Sequence, residues 1–294
     1  MPSRSDVSRT TLPRRQLGRA LRDARQALGQ TLEQAAEGME ISRSTLGRLE
    51  LGQNEKVKVH EVDYICRYYG LSDERIEFLK SLAREANTKS WFHADRNLMR
   101  AGFDTYVGLE ASAGKLHLFQ PLIVPGLLQT ADYAKALAVT ELPPEPADAI
   151  ERRIGLRMQR SAILTRRHKP VHAEFLIHEA VLRIAVGPER TMSAQLRHIA
   201  DMGTRDNVTV RIVPNSAGYP IGEPVAPYIL IDFPPDARAG AEPSVVYTET
   251  TVGTMFFEES EDVRRYREVH EAYRDASLEE RQSRDLLRQV AARR

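Results

Sequence analysis

Arg43, Ser44, Gly47 and Arg48 stand at i, i+1, i+4 and i+5, the spacing that gathers side chains on one face of a helix. Two guanidinium forks and a hydroxyl on one narrow face suit the edges of nucleic-acid bases. Arginine makes a forked contact to guanine O6 and N7, serine serves several bases, and a glycine between them lets backbones approach. The plainer alternative is a surface helix with solvated arginines. A second group, His168, His172, His178 and Glu179, carries ligand atoms for a metal, and residues 172 and 178 share one face of a strand. It lacks the H-x-x-x-H or C-x-x-C pair that metal sites use, so scattered histidines, no metal and no cofactor are expected. There is no G-x-G-x-x-G, P-loop, G-x-S-x-G or H-E-x-x-H, and Cys66, the single cysteine, lies on an apolar helical stripe. An enzyme is not expected.

The elements that must position the first group are written around it. Ser42 is an N-cap, Ile41 before it can staple onto Leu46, and Gly52 supplies the left-handed stop. Leu46 and Leu49 mark the inner side. Upstream, Leu17, Leu21, Ala24 and Leu28 recur at helical spacing until Gly29. Thr31 with Gln34 then makes a capping box, with Leu32, Ala35 and Ala36 inward and a turn at Gly38 to Glu40. Downstream, Val62, Ile65, Cys66 and Tyr69 define a fourth helix, and Ser72 caps a fifth with Ile76, Leu79, Leu82 and Ala86. The expectation is an all-α five-helix bundle with a helix-turn-helix over 14–87, behind a polar flexible arm over 1–13.

The chain of 294 residues is long for one domain. Its 42 basic residues against 41 acidic ones argue against a protein that coats nucleic acid along its length. The balance hides a basic amino end, where Arg4, Arg9, Arg14, Arg15, Arg19, Arg22 and Arg25 face only Asp6 and Asp23, so any phosphate-facing surface is expected there. One cysteine allows no internal disulfide. No stretch resembles a secretory leader or approaches the ~20 apolar residues of a membrane span, so a soluble, cytoplasmic protein is expected, with no membrane association.

Residues 88–294 read as an α+β domain, a small sheet flanked by helices. Trp91 and its neighbours, then Phe103, Tyr106, Val107, Leu109 and Glu110, then Ala113, Leu116 and Leu118, suggest helices. Pro125 and Gly126 break the chain and Thr130 starts a helix. A Pro-rich loop over Leu142 to Pro146 leads to a basic helix from Ile150 to Arg167. A strand at Ala173 to Ile177 and helices at Glu179 to Val186 and Glu189 to Met202 follow. Strands at Asn207 to Pro214, in A-P-Y-I-L-I-D-F, in S-V-V-Y-T-E and near Thr254 to Phe257 precede two terminal helices, Asp262 to Ala276 and Leu278 to Ala292. Leu122, Val124, Pro125, Leu127, Leu128 and Gln129 offer a ligand or partner groove, against the default of core packing. Arg152, Arg153, Arg157, Arg160, Arg166 and Arg167 could grip DNA or an acidic protein, or form a solvated helix paired with its own acids such as Glu151.

T-L-E-Q-A-A, the turn, and I-S-R-S-T-L-G-R-L-E-L-G resemble the Xre-type helix-turn-helix of lambda repressor and Cro, from Leu17 to about Leu71. The resemblance implies that the helix from Ser42 is a recognition helix, with Arg43, Ser44 and Arg48 reading bases and Thr45 near phosphate. It also implies an internal ion pair between Arg25 and Glu50. One departure is Leu32, which stands where the phage proteins open the second helix with a phosphate-binding glutamine. The backbone clamp is therefore assigned to Thr31, Arg14 or Arg19. In the second half, V-P-G-L-L-Q-T-A-D-Y-A, F-L-I-H-E-A-V-L-R, N-V-T-V-R-I-V-P and V-V-Y-T-E resemble the carboxy-terminal domain of a group of actinobacterial regulators, often encoded beside a small acidic partner protein. The implied function is a sequence-specific DNA-binding transcriptional regulator whose second domain dimerises and receives a signal. A homodimer follows from geometry, since useful specificity needs two half-sites about 34 Å apart. The alternative is an antitoxin-like module that holds a small acidic partner, with DNA binding as autoregulation.

Overall fold

A computed structural model describes residues 11–54, 56–87, 102–141, 144–235, 242–251 and 253–294. Residues 1–10 of the arm expected at the amino end, the segment around Trp91, and Leu142 with Pro143 lie outside the described residues. The chain divides into two compact units, 1–112 with 235–242, and 113–234 with 243–294.

In the first unit five helices run as α1 (Leu12–Ala27), α2 (Leu32–Gly38), α3 (Arg43–Glu50), α4 (Val59–Tyr68) and α5 (Asp73–Ala86), and α6 (Phe103–Ser112) follows. Pro13 lies in the first turn of α1, where its missing N–H costs nothing. Thr31 and Gln34 form the complete capping box of α2, and the Ser42 hydroxyl accepts from Thr45 N at 3.0 Å. Gly29, Gly52 and Gly70 each take positive φ just after a helix, the left-handed stop that glycine adopts without strain. Leu17, Leu21, Leu46, Val62 and Leu79 are fully buried in one core, with Ile41 and Leu32 packed at its edge. Each is worth roughly 1.5–3 kcal/mol of burial.

The second unit is built on a six-stranded sheet in the order β3-β2-β1-β4-β5-β6. The strands are β1 (Lys115–Gln120), β2 (His172–His178), β3 (Val208–Val213), β4 (Tyr228–Asp232), β5 (Val245–Thr250) and β6 (Gly253–Phe257). β1, β2 and β3 are parallel, and β4, β5 and β6 continue antiparallel. Helices α7 (Ala131–Ala138), α8 (Ala147–Ser161), α9 (Glu189–Met202), α10 (Ser260–Asp275) and α11 (Glu280–Ala292) complete it. On one face Phe119, Leu176, Tyr228, Leu230 and Val246 pack against Val263, Val269 and Tyr273 of α10.

Three sequence expectations differ from the structure. The stretch from Ala113 to Leu118 is not helical: Leu116 and Leu118, two apart, are inward positions of strand β1, which has a hydrogen-bonded neighbour on each side. A half-apolar hexapeptide is ambiguous alone, and the ladders decide it. The helix expected at Glu179 to Val186 is a single 3-10 turn, Glu179–Leu182, opened by His178, whose Nδ1 accepts from Ala180 N, and followed by Gly187 at positive φ. The basic helix also starts earlier and stops sooner than expected, because the chain tightens into a 3-10 turn at Ala162–Leu164.

Candidate nucleic-acid interface

Helix α3 separates its two sides cleanly. Leu46, Leu49 and Glu50 are buried, whereas Arg43, Ser44 and Arg48 are exposed and Thr45 and Gly47 half-buried. Arg43 Nε contacts Glu33 Oε1 at 2.8 Å, with 69% and 56% of the two side chains exposed. A pair this open contributes at most about 1 kcal/mol, so Arg43 can leave Glu33 for a stronger acceptor. Gly47 also has a packing role. A Cβ there would meet Leu32 Cδ2 at 3.3 Å, so the glycine seats α3 against α2. Leu32 and Gly47 fit as a pair, which gives the departure at position 32 a packing reason.

The inner side is locked by charge. Arg25 Nε and Nη2 donate to the two carboxylate oxygens of Glu50 at 2.7 and 2.8 Å, and Arg25 Nη1 reaches Gln30 O at 2.8 Å. The hydrogen bonds to Glu50 raise the Arg25 pKa against the opposing effect of burial. Arg22 Nη2 donates to the Glu50 carbonyl at 3.0 Å, closing the C-terminus of α3. Sequence reading missed Gly18: a Cβ there would lie 2.5 Å from Glu50 O and 2.7 Å from Leu49 O. Only a residue without a side chain lets α1 cross α3 this closely, and the one signal was a glycine inside an otherwise regular helix.

Among the described residues, three arginines of the basic amino end have internal partners. Arg14 Nη2 donates to Ala86 O at 3.0 Å, while Arg15 and Arg19 meet Glu242 at 3.0 and 2.8 Å. These arginines meet one internal carbonyl and one buried carboxylate. Thr31 stays exposed, at the start of α2.

Comparison with known families follows this division. Residues 16–79 match a family described as a helix-turn-helix domain, and residues 103–289, more than half of the chain, match the family described as "Domain of unknown function (DUF5753)". The chain belongs to the DUF5753 family. No curated protein and no solved structure matches it. Among the described residues no helix is long and apolar enough to cross a membrane.

Within the DUF5753 half, the residues expected to line a groove are mostly core. Val124, Leu127 and Leu128 are buried around a 3-10 turn, Pro125 is buried beside them, and Leu122 alone is well exposed. Gln129 is buried too: its amide donates to Val124 O at 2.8 Å and its carbonyl accepts from Arg157. Of the arginine cluster, Arg152, Arg153, Arg157 and Arg160 turn inward or pair locally, while Arg166 and Arg167 are exposed. Arg153 meets Glu141 and Glu145, Arg152 meets Asp148, and burial together with neighbouring Arg160 pulls Arg157 down to about 10. Glu151 pairs with Lys135 of α7 at 2.5 Å, not with its own helix.

The histidines of the sequence reading do not converge. His172 and His178 begin and end β2, so although they share a face they are separated by roughly 20 Å of strand. A different set does. His117 on β1 stands directly beside Glu174 on β2 in the parallel ladder, and α10 lowers His270 onto both. Glu174 Oε2 is 3.2 Å from His117 Nδ1 and 3.1 Å from His270 Nε2. Tyr228 Oη lies 3.0 Å from His270 Nδ1, and His117 Nε2 lies 3.4 Å from Asp232 Oδ2, a carboxylate also held by Arg267 and Ser244. Burial opposes ionisation of Glu174, yet hydrogen bonds from both histidines hold its carboxyl well below the usual range. Asp232 behaves alike through His117 and Arg267. The His117 pKa is raised, because Asp232 and Glu174 outweigh its burial, and burial lowers that of His270. Cys66, by contrast, is a poor nucleophile, its thiol pushed by burial up to about 12.

Proposed function

We propose that this DUF5753 protein is a sequence-specific DNA-binding transcriptional regulator of the Xre type, with α3 in the major groove and Arg43, Ser44 and Arg48 reading base edges. The observation that carries the reading is the split of α3: three donors exposed on one side, and Leu46, Leu49 and a forked Arg25–Glu50 pair fixing the other. A helix held that rigidly presents its donors in one geometry, which forked recognition of guanine requires. Two copies would bind half-sites about 34 Å apart, because one helix touches too few base pairs for useful specificity.

The test is selection of a preferred sequence from random duplexes by the full chain, followed by binding measurements at fixed salt. Arg43→Ala and Arg48→Ala are expected to lose about 1–3 kcal/mol each on the preferred sequence and to relax preference at distinct positions, with little change on random DNA. Equal losses on preferred and random duplexes would overturn the assignment of these residues.

A further inference from the structure

We propose that His117 Nδ1, His270 Nε2 and Glu174 Oε2 bind one divalent first-row transition ion, zinc being the ion to test, and that Asp232 and Tyr228 orient the two imidazoles for it. No metal is expected from the spacing of residues along the chain. Metal motifs have short ligand spacings, and these donors stand at residues 117, 174 and 270, brought together only by a parallel strand pair and a terminal helix.

Three observations carry the proposal. First, the donors converge: all three ligand atoms lie within 4.8 Å of one another, and the oxygen of Glu174 stands 3.1–3.2 Å from both nitrogens. Ligands about 2.0–2.2 Å from a tetrahedral ion stand about 3.3–3.6 Å apart, so the two separations from Glu174 need widen by only a few tenths of an ångström, while the two nitrogens already stand within 4.8 Å of each other. Second, each histidine already has an oxygen partner at its other nitrogen, Asp232 for His117 and Tyr228 for His270. A ligating imidazole donates its remote N–H to such an oxygen, which fixes the tautomer and turns the free nitrogen to the metal. Third, the donor set is two imidazoles and an ionised carboxylate, which suits zinc and its neighbours better than calcium or magnesium. The side chains of His117 and Glu174 keep 11% and 13% exposure, so an ion reaches them from solvent. Bound there, the ion would pin α10 to the centre of the sheet.

The experiment uses the full chain without affinity-tag histidines, stripped with a chelator and titrated with Zn2+ against a competing chelating dye. One ion per chain is expected. His117→Ala and His270→Ala should each weaken binding by more than about 100-fold, and Asp232→Asn and Tyr228→Phe by about 10- to 100-fold. His172→Ala and His178→Ala should leave it unchanged. Should the ligand variants misfold, the wild-type chain loaded with Co2+ reads the same site through the visible bands of a low-coordinate ion, bleached by Zn2+. A wild-type chain with no stoichiometric site, cobalt spectra of a fully hydrated ion, or binding lost equally on removing His172 would overturn the proposal. DNA binding does not enter this readout, so the two readings fail separately.

Discussion

Each unit buries charge, and the two do it differently. In the helical unit the forked pair of Arg25 with Glu50 joins α1 to α3, and Glu242 separately takes Arg15 and Arg19 of α1. In the sheet unit the polar groups form a relay, Tyr228 to His270 to Glu174 to His117 to Asp232 to Arg267, drawn from β1, β2, β4 and α10. An inner member of the relay has a partner on each side, so deleting a neighbour leaves it one. Glu50 depends chiefly on Arg25, with Arg22 Nε no nearer than 3.8 Å. The price of a deletion therefore follows how many partners remain, and not how many charges are buried.

The sharpest test of that contrast is Arg25→Ala. It leaves Glu50 buried with its main partner gone, and the expected loss is about 3–5 kcal/mol in denaturant unfolding of the helical unit. The exposed Arg43–Glu33 pair on the neighbouring helix sets the scale: Glu33→Ala should move the same transition by no more than about 1 kcal/mol. Similar small shifts for both variants would mean that Arg25 is not the lock.

Next in size is a comparison of two helix glycines. A Cβ at Gly18 would meet the backbone of α3 at 2.5 Å, whereas at Gly203 in the sheet unit it would make ordinary contact with Val210 Cγ2 at 3.4 Å. Backbone at a helix crossing cannot rotate away. Gly18→Ala is expected to cost about 1–3 kcal/mol, and Gly203→Ala, a helix-end position without positive φ, much less. Thermal unfolding of the two variants side by side checks this, and a tolerated alanine at residue 18 would show that α1 and α3 can separate freely. At the end of the relay Tyr228→Phe removes only the hydroxyl that faces His270, for about 1 kcal/mol. A loss as large as that of Arg25→Ala would erase the distinction between relay and pair.

What could be read from residues alone was whatever is local. The caps at Thr31, Ser42, Ser72 and Thr130 act within three residues of themselves, and all four accept the expected amide. The outward face of α3 needed only the helical repeat. The Arg25–Glu50 pair, 25 residues apart, was legible only through resemblance to a known motif. The donors of the sheet unit were not legible at all. Once Leu116 and Leu118 are taken as helical, His117 has no reason to face Glu174, and one misassigned strand hides the whole cluster. Gly18 escaped because its function lies in the backbone of another helix.

The smallest effect concerns strain, and it again sets one unit beside the other. Two described residues other than glycine take positive φ: Glu40, at 55° in the turn between α2 and α3, and Lys169, at 49° in the loop before β2. Both side chains are exposed, so neither conformation is compensated by burial. A left-handed backbone costs a side-chain-bearing residue roughly 1–2 kcal/mol, and glycine removes that cost while adding about 0.5–1 kcal/mol of freedom to the unfolded chain. The balance favours glycine by up to about 1.5 kcal/mol at both positions. Glu40→Gly and Lys169→Gly should therefore each raise the unfolding midpoint slightly, and alike. The backbone at residue 169 is held further by Arg166, whose Nε donates to Lys169 O at 2.7 Å. If Lys169→Gly gains and Glu40→Gly loses stability, the stiffness of the α2–α3 turn depends on the side chain of Glu40, and the left-handed residue there is an orienting device for α3 and not a tolerated strain.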